Sequence, residues 1–159
     1  MDRILTIGIH GWDAESWIAA LQAAGCDRVV DIRARRGVRG REYAFGNRAR
    51  LEALLRDAGI AYLHVPELAP SREMRDVQAA ADAASRQPKR SRTVLSEEFR
   101  RAYEQGIAAQ VDWADLMRRV DGVAPALLCV ERLPTACHRS IAASRLAASA
   151  GARVEDLIP

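Results

Sequence analysis

The sequence lacks the features that would declare a function outright. Cysteine is scarce: Cys26, Cys129 and Cys137 are an odd number with no C-x-x-C spacing, which reads as reduced thiols of a cytoplasmic protein rather than a disulfide framework. The longest apolar stretch, around residues 124–130, falls far short of the roughly 20 residues needed to span a bilayer, so no membrane partner is expected. The start, Met1-Asp2-Arg3 followed directly by Ile4-Leu5-Thr6-Ile7, has no separate apolar signal region and no small-residue cleavage site. No G-x-G-x-x-G follows the first apolar run and no Walker lysine motif occurs, so dinucleotide and P-loop readings fall and no cofactor is called for. Gly-X-Y periods and sustained heptads are absent too. Disorder requires few apolar residues and high net charge, whereas this chain is 49% hydrophobic with a net charge of only +3. What survives is a single soluble globular domain over residues 1–159.

Lysine is the scarcest basic residue: of 24 Lys plus Arg, only Lys89 is a lysine. Arg33, Arg35, Arg36, Arg39, Arg41, Arg48 and Arg50 crowd one stretch opposed only by Glu42. A guanidinium is a planar fork of donors suited to phosphate or carboxylate oxygens, so this clustering points to an anionic partner.

Hydrophobic periodicity divides the chain into strands separated by helices. Residues 3–9, 28–32, 60–65 and 125–130 read as buried strands, with a fifth short strand at 154–158. Between them, Asp13 is placed to cap a helix through Leu21, with Trp12 and Trp17 in staple spacing, and Asn47 to cap a helix carrying Leu51, Leu54 and Leu55. Residues 71–86 read as a polar helix and 87–92 as a basic, solvent-facing loop. Ser96 is placed to cap a further helix running to Val120 with a break near Gly106, and a last helix covers 137–150. Strands alternating with helices imply parallel pairing through right-handed crossovers. The expected fold class is α/β: a three-layer, Rossmann-like domain with a mostly parallel sheet of four to five strands. Ligands of such sheets sit at the carboxyl ends of the strands, where the first four strands deliver His10, Asp31 with Arg33, His64 with Glu67, and Glu131 with Arg132.

The richest local feature runs from Cys129 to Ser140. Cys137, expected in the first turn of the last helix, would face free backbone N–H groups and the positive end of the helix dipole, with Arg139 and a protonated His138 beside it. That makes it the leading nucleophile. Glu131 is suited to acid–base work or to orienting a guanidinium. Neighbours on a helix diverge by about 100°, so His10 is better placed than His138 to activate the thiol. Cys129, inside an apolar strand, reads as core. Cys129, Cys137, His138 and His10 are suitable metal donors, yet their spacing matches no zinc pattern and no metal is expected. A phosphatase cradle would put an arginine six residues after the cysteine, where Ala143 stands.

Several segments together are similar to the domain-of-unknown-function family 488. They are Thr6-Ile7-Gly8 with His10, Val30-Asp31-Ile32-Arg33, Phe45-Gly46-Asn47, Ala58-Gly59-Ile60 with Tyr62, His64-Val65-Pro66-Glu67-Leu68, and Cys129-x-Glu131-x-x-Pro134-x-x-Cys137-His138-Arg139-Ser140. The resemblance implies a bacterial α/β domain with functionally important cysteines and carries over Asp31, Arg33, Cys129, Glu131, Cys137, His138 and Arg139; it brings no reaction with it. The leading expectation is an enzyme acting on a small phosphorylated or nucleotide-like anion. Cys137, Glu131 and His10 would form its catalytic group, and Asp31, Arg33, Arg35, Arg36, Tyr43, His138 and Arg139 would form its anion-binding group. Two alternatives use the same residues: a nucleic-acid-binding module whose arginines track a phosphate backbone, and a non-catalytic interaction domain in which the motif locks the last helix to the sheet.

Overall fold

A period-two alternation of apolar residues in the strands decides the architecture. In the computed structural model, which describes residues 1–159, Leu5, Ile7, Val29, Ala126 and Leu128 face one hydrophobic cluster while Ile4, Val30 and Leu127 face another. Strands buried on both faces require helices on both faces. Helices α1 (Ala14–Ala23) and α2 (Arg48–Asp57) supply Trp17, Leu21, Leu51 and Leu55 to the first cluster. Helices α5 (Trp113–Val120) and α6 (Arg139–Ala150) supply Leu116, Val120, Ala142, Ala143 and Leu146 to the second. The result is the three-layer α/β domain expected, and its sheet is parallel throughout.

The strands are β1 (Arg3–Ile7), β2 (Arg28–Asp31), β3 (Ala61–His64), β4 (Pro125–Leu128) and β5 (Arg153–Leu157), in the spatial order β3-β2-β4-β1-β5. β4 therefore lies in the middle, with Leu128 in register with Ile7 on one side and Asp31 on the other. All three strands end at the same level. From β1 the chain moves toward β2 and β3, while from β4 it moves across β1 to β5. That divergence is the switch point at which open parallel sheets form a crevice.

Local chemistry accounts for most helix ends. The Asp13 carboxylate accepts the Ser16 N–H at 2.8 Å, and the Ser96 hydroxyl accepts from Phe99 at 3.2 Å to start α4 (Glu97–Tyr103). The expected break near Gly106 is a π-helical turn over Glu104–Ala108. Asn47 departs from expectation: it stands at the N-cap of α2, but its Oδ1 accepts from Val38 N–H at 2.7 Å and ties down the arginine-rich loop instead. The 87–92 segment also differs. Arg92 is buried, donating to Asp82 at 2.7 Å and to the Ala136 carbonyl at 3.0 Å, so this loop is fastened onto the approach to Cys137. Together with α3 (Arg72–Ala84) and α4, it roofs the carboxyl edge of the sheet. No helix is long and apolar enough to cross a membrane.

Candidate functional site

Two sharp turns leave the carboxyl ends of β1 and β4 and lock onto each other. Ile9 and His10 donate backbone N–H bonds to the Val130 carbonyl at 3.1 and 3.0 Å. The turn after β4 passes so close to Gly8 that a Cβ there would overlap the Glu131 carbonyl oxygen and lie 3.3 Å from Arg139 Nη1. Arg139, fully buried, fastens the turn from below: its Nη1 donates to the Glu131 carbonyl at 2.5 Å and its Nη2 to that of Arg132 at 3.0 Å. Its guanidinium is engaged by the protein's own backbone and does not reach the cavity wall, unlike the anion contact expected of it.

Cys137 does not sit in the first turn of α6, as the sequence suggested. His138 occupies the N-cap and Cys137 precedes it in extended backbone, φ −140° and ψ 145°. The helical divergence of neighbours therefore does not apply, and His138 Nδ1 stands 3.7 Å from Cys137 Sγ. The same nitrogen lies 3.9 Å from Cys129 Sγ, and the three atoms are all within 4.8 Å of one another. Cys129, expected as plain core, lies just past the end of β4 with its thiol 3.2 Å from Glu131 Oε2. His138 Nε2 faces the Ile32 carbonyl at 3.4 Å, and the Tyr103 ring packs on the imidazole at 5.4 Å between centroids.

These contacts set the charge state of the cluster. Burial opposes ionisation of Cys137, but the Cys129 thiol, the His138 imidazolium and its N–H, and the Arg139 guanidinium outweigh it, so its pKa falls well below that of an ordinary thiol. Cys129 is pushed the other way by its hydrogen bond toward the Cys137 thiolate and by burial. Burial also lowers the basicity of His138, yet the Cys137 thiolate more than compensates and raises its pKa. Glu131 is raised, first by burial and then by the Cys137 charge, which favours a protonated carboxyl. The shifts favour a thiolate–imidazolium pair at Cys137 and His138 and move Glu131 and Cys129 beside them toward their protonated forms.

A cavity of about 960 Å³ opens over this cluster. Its floor includes His10, Cys129, Glu131, Cys137 and His138; its walls bring Arg33 and Arg35 from the arginine-rich loop, Arg75 from α3, and Lys89 and Arg92 from the roof. Arg92 approaches Glu131 Oε1 at 3.5 Å and Lys89 at 4.0 Å. A smaller cleft of about 320 Å³ lies between the π-helical turn and α5, at Glu67, Asp112 and Arg119.

The residues singled out from the sequence thus divide. Cys137, Glu131 and His10 of the catalytic group, with Arg33, Arg35 and His138, face one cavity. Asp31, Arg36, Tyr43 and Arg139 lie behind or beside it. Asp31 is fully buried and holds Arg33 through two bonds of 2.8 and 2.7 Å, while Tyr62 donates to the same carboxylate at 2.8 Å. Arg36 turns toward Glu52 at 3.6 Å and toward the Tyr62 hydroxyl, whose pKa burial pushes up to about 12. The Tyr43 ring meets His10 at a tilt of 52°, 4.9 Å between centroids, with Arg90 over its ring at 5.9 Å. Burial and then Arg90 lower the His10 pKa, which keeps that imidazole neutral. Sequence reasoning missed Arg75 and Arg92. Both lie in segments that look solvent-facing, and only the tertiary roof brings them over the strand ends.

A parallel α/β sheet with a thiol–imidazole cluster at its switch point defines the class of protein. Residues 13–146 match the profile described as "Domain of unknown function DUF488", and the chain belongs to that family. No curated protein and no solved structure matches the chain.

Proposed function

We propose that this protein is an enzyme acting on a small phosphorylated or nucleotide-like anion, with the Cys137 thiolate as nucleophile. One observation carries the reading: the Cys137–His138 pair and Glu131 share a single 960 Å³ cavity with Arg35, Arg39 and Arg75, none of which is ion-paired to an acid of the chain. A cavity of this size fits a ligand of mononucleotide dimensions, and unpaired guanidiniums supply the forks that phosphate oxygens need.

The group transfer follows from the charge states. Cys137 Sγ donates its electron pair to an electrophilic centre of the substrate, and the bond to the leaving group breaks with its own pair. The Glu131 carboxyl proton passes to that leaving group. A water molecule then attacks the thiol-bound centre while Glu131, now a carboxylate, takes one of its protons. Departure of the sulfur regenerates the thiolate, and His138 remains the imidazolium counter-ion throughout. His10, neutral and on the same floor, is a second proton acceptor.

The test combines a thermal-shift titration with inorganic phosphate, pyrophosphate and AMP, and turnover of whichever nucleotide or phosphorylated compound stabilises the protein. A saturable rise in Tm that is lost in Arg35→Ala/Arg75→Ala, with turnover abolished but binding retained in Cys137→Ser, supports the proposal. Turnover surviving in Cys137→Ser refutes the nucleophile. Binding confined to long polynucleotides, with a log–log salt slope of about 0.7 to 0.9 per phosphate contacted, would replace the reading with a nucleic-acid module.

A further inference from the structure

We infer that Cys129, Cys137 and His138 form a three-ligand site for a thiophilic divalent cation, Zn²⁺ above all, with a fourth position open to the cavity. The inference goes beyond the thiolate reading and is tested separately from it. Tetrahedral zinc holds sulfur at about 2.3 Å and nitrogen at about 2.0 to 2.1 Å, so sulfur and nitrogen ligands of one ion stand about 3.6 Å apart. His138 Nδ1 is 3.7 Å from Cys137 Sγ and 3.9 Å from Cys129 Sγ, and both sulfurs and the nitrogen lie within 4.8 Å of one another. Two thiolate ligands of one tetrahedral ion stand about 3.8 Å apart, so side-chain movement must bring sulfurs that lie within 4.8 Å of each other together by up to about 1 Å to close the site.

The imidazole is also held as a ligand requires. A carbonyl can only accept, so the Ile32 oxygen, 3.4 Å from Nε2, holds the ring proton on that nitrogen and leaves the Nδ1 lone pair aimed at the sulfurs once the ring is neutral. Metal-bound histidines characteristically donate their second N–H in this way. Loading the ion displaces two protons to solvent, one from the Cys129 thiol and one from Nδ1 of the imidazolium; no other bond breaks. The buried Arg139 guanidinium under the turn offsets the negative charge that the two thiolates bring.

Entry and function are built in. All three ligands line the 960 Å³ cavity, so an ion reaches them from solvent. Glu131 lies two residues beyond Cys129, with its carboxylate 3.2 Å from that sulfur but outside the close trio. In hydrolytic zinc sites this is the place of the proton-transfer group rather than of a ligand. The same sulfur lone pairs serve the metal and the covalent chemistry. A loaded Cys137 therefore no longer reacts as a nucleophile, and zinc holds the protein in a form in which that thiolate is capped.

The experiment is an anaerobic titration of the full chain with Zn²⁺ against a chromophoric chelator, paired with Co²⁺ substitution read by absorption. One equivalent should bind with a Kd of about 0.1 µM or tighter. Bound cobalt should show thiolate-to-metal charge transfer and the visible bands of a tetrahedral ion. Cys129→Ser and Cys137→Ser should each weaken binding at least about 100-fold, while Cys26→Ser should leave it unchanged. Zinc should also suppress alkylation of Cys137. The inference is overturned if wild-type protein binds less than half an equivalent, if the cobalt spectrum lacks the thiolate band, or if the serine variants bind like wild type. The cobalt spectrum needs no variant, so misfolding of a mutant cannot obscure the result. Alkylation and turnover of the chelator-treated protein test the thiolate reading whatever the metal result.

Discussion

His138 Nδ1 approaches the sulfur of its own sequence neighbour, Cys137, to 3.7 Å. Adjacent side chains meet here because Cys137 is extended while His138 turns into the helix, which folds the imidazole back over the thiol. The pair is thus made by one backbone bend at the head of α6 and fixed from outside by Ile32 and Tyr103.

Cys137 in chelator-treated protein should alkylate at pH values well below the ordinary thiol pKa of about 8.5, because a lowered pKa keeps the thiolate populated as the pH falls. Peptide mass spectrometry separates it from Cys129, whose raised pKa keeps it unreactive in the same range. Negatively charged iodoacetate should outpace neutral iodoacetamide relative to their rates with a free thiol, and added salt should erode the advantage as the basic cavity is screened. A Cys137 rate that rises only above pH 8 contradicts the thiolate–imidazolium pair.

Arg139→Met should reduce stability by about 3 kcal/mol or more, measured as a shift of the urea midpoint at constant slope. It removes charged donors from the part-buried Glu131 and Arg132 carbonyls and leaves the turn after β4 without its clamp. The variant should also lose the low-pH alkylation of Cys137, since the guanidinium helps hold that thiolate. A midpoint near wild type would show that the turn after β4 is held by its bonds to Ile9 and His10 alone.

Asp31 and Arg33 form a fully buried pair, so either single change, Asp31→Leu or Arg33→Met, strands a charge and should destabilise by about 3 to 5 kcal/mol. The double variant should cost at least about 1 kcal/mol less than the sum of the two. Strict additivity in denaturant unfolding would mean that Arg33 depends more on the Gly46 carbonyl and Asp31 more on Tyr62 than on each other.

Gly8→Ala tests the contact between the two turns directly. The new methyl must displace the Glu131 backbone, which carries both Arg139 and the acid above the thiols. A loss of more than about 2 kcal/mol is expected together with impaired reactivity of Cys137. Unchanged alkylation with lowered stability would separate the packing of the turns from the chemistry over them.

The fold was legible because its strands and helices obey their periods. Val29-Val30 and Ala126-Leu127-Leu128 read as buried strands, and Asp13 and Ser96 as caps, from local chemistry alone. Membership of the family was legible too, and the match over residues 13–146 bears it out. Distances across the sheet were not. Cys129 looked like core because it follows an apolar strand, yet the strand stops at Leu128 and the chain swings the thiol toward Glu131. Arg92 looked solvent-facing because its partners, Asp82 and the Ala136 carbonyl, lie 10 and 44 residues away. The misplacement of Cys137 came from starting the helix two residues early, a small error along the chain that reverses which histidine meets the thiol.

The central position of β4 also bears on how the chain folds. β1 and β2 are made early yet do not touch each other; both pair with β4, which begins at residue 125. Until that strand is in place, two apolar strands are left without a shared neighbour, a topology of long sequence separations that slows folding and invites mispairing with other chains. The strand that closes this gap leads directly into Cys129 and Glu131. Reactive sulfur therefore comes together with its partners only as the sheet is completed, and a half-folded nascent chain does not present the assembled thiol centre to the surrounding cell.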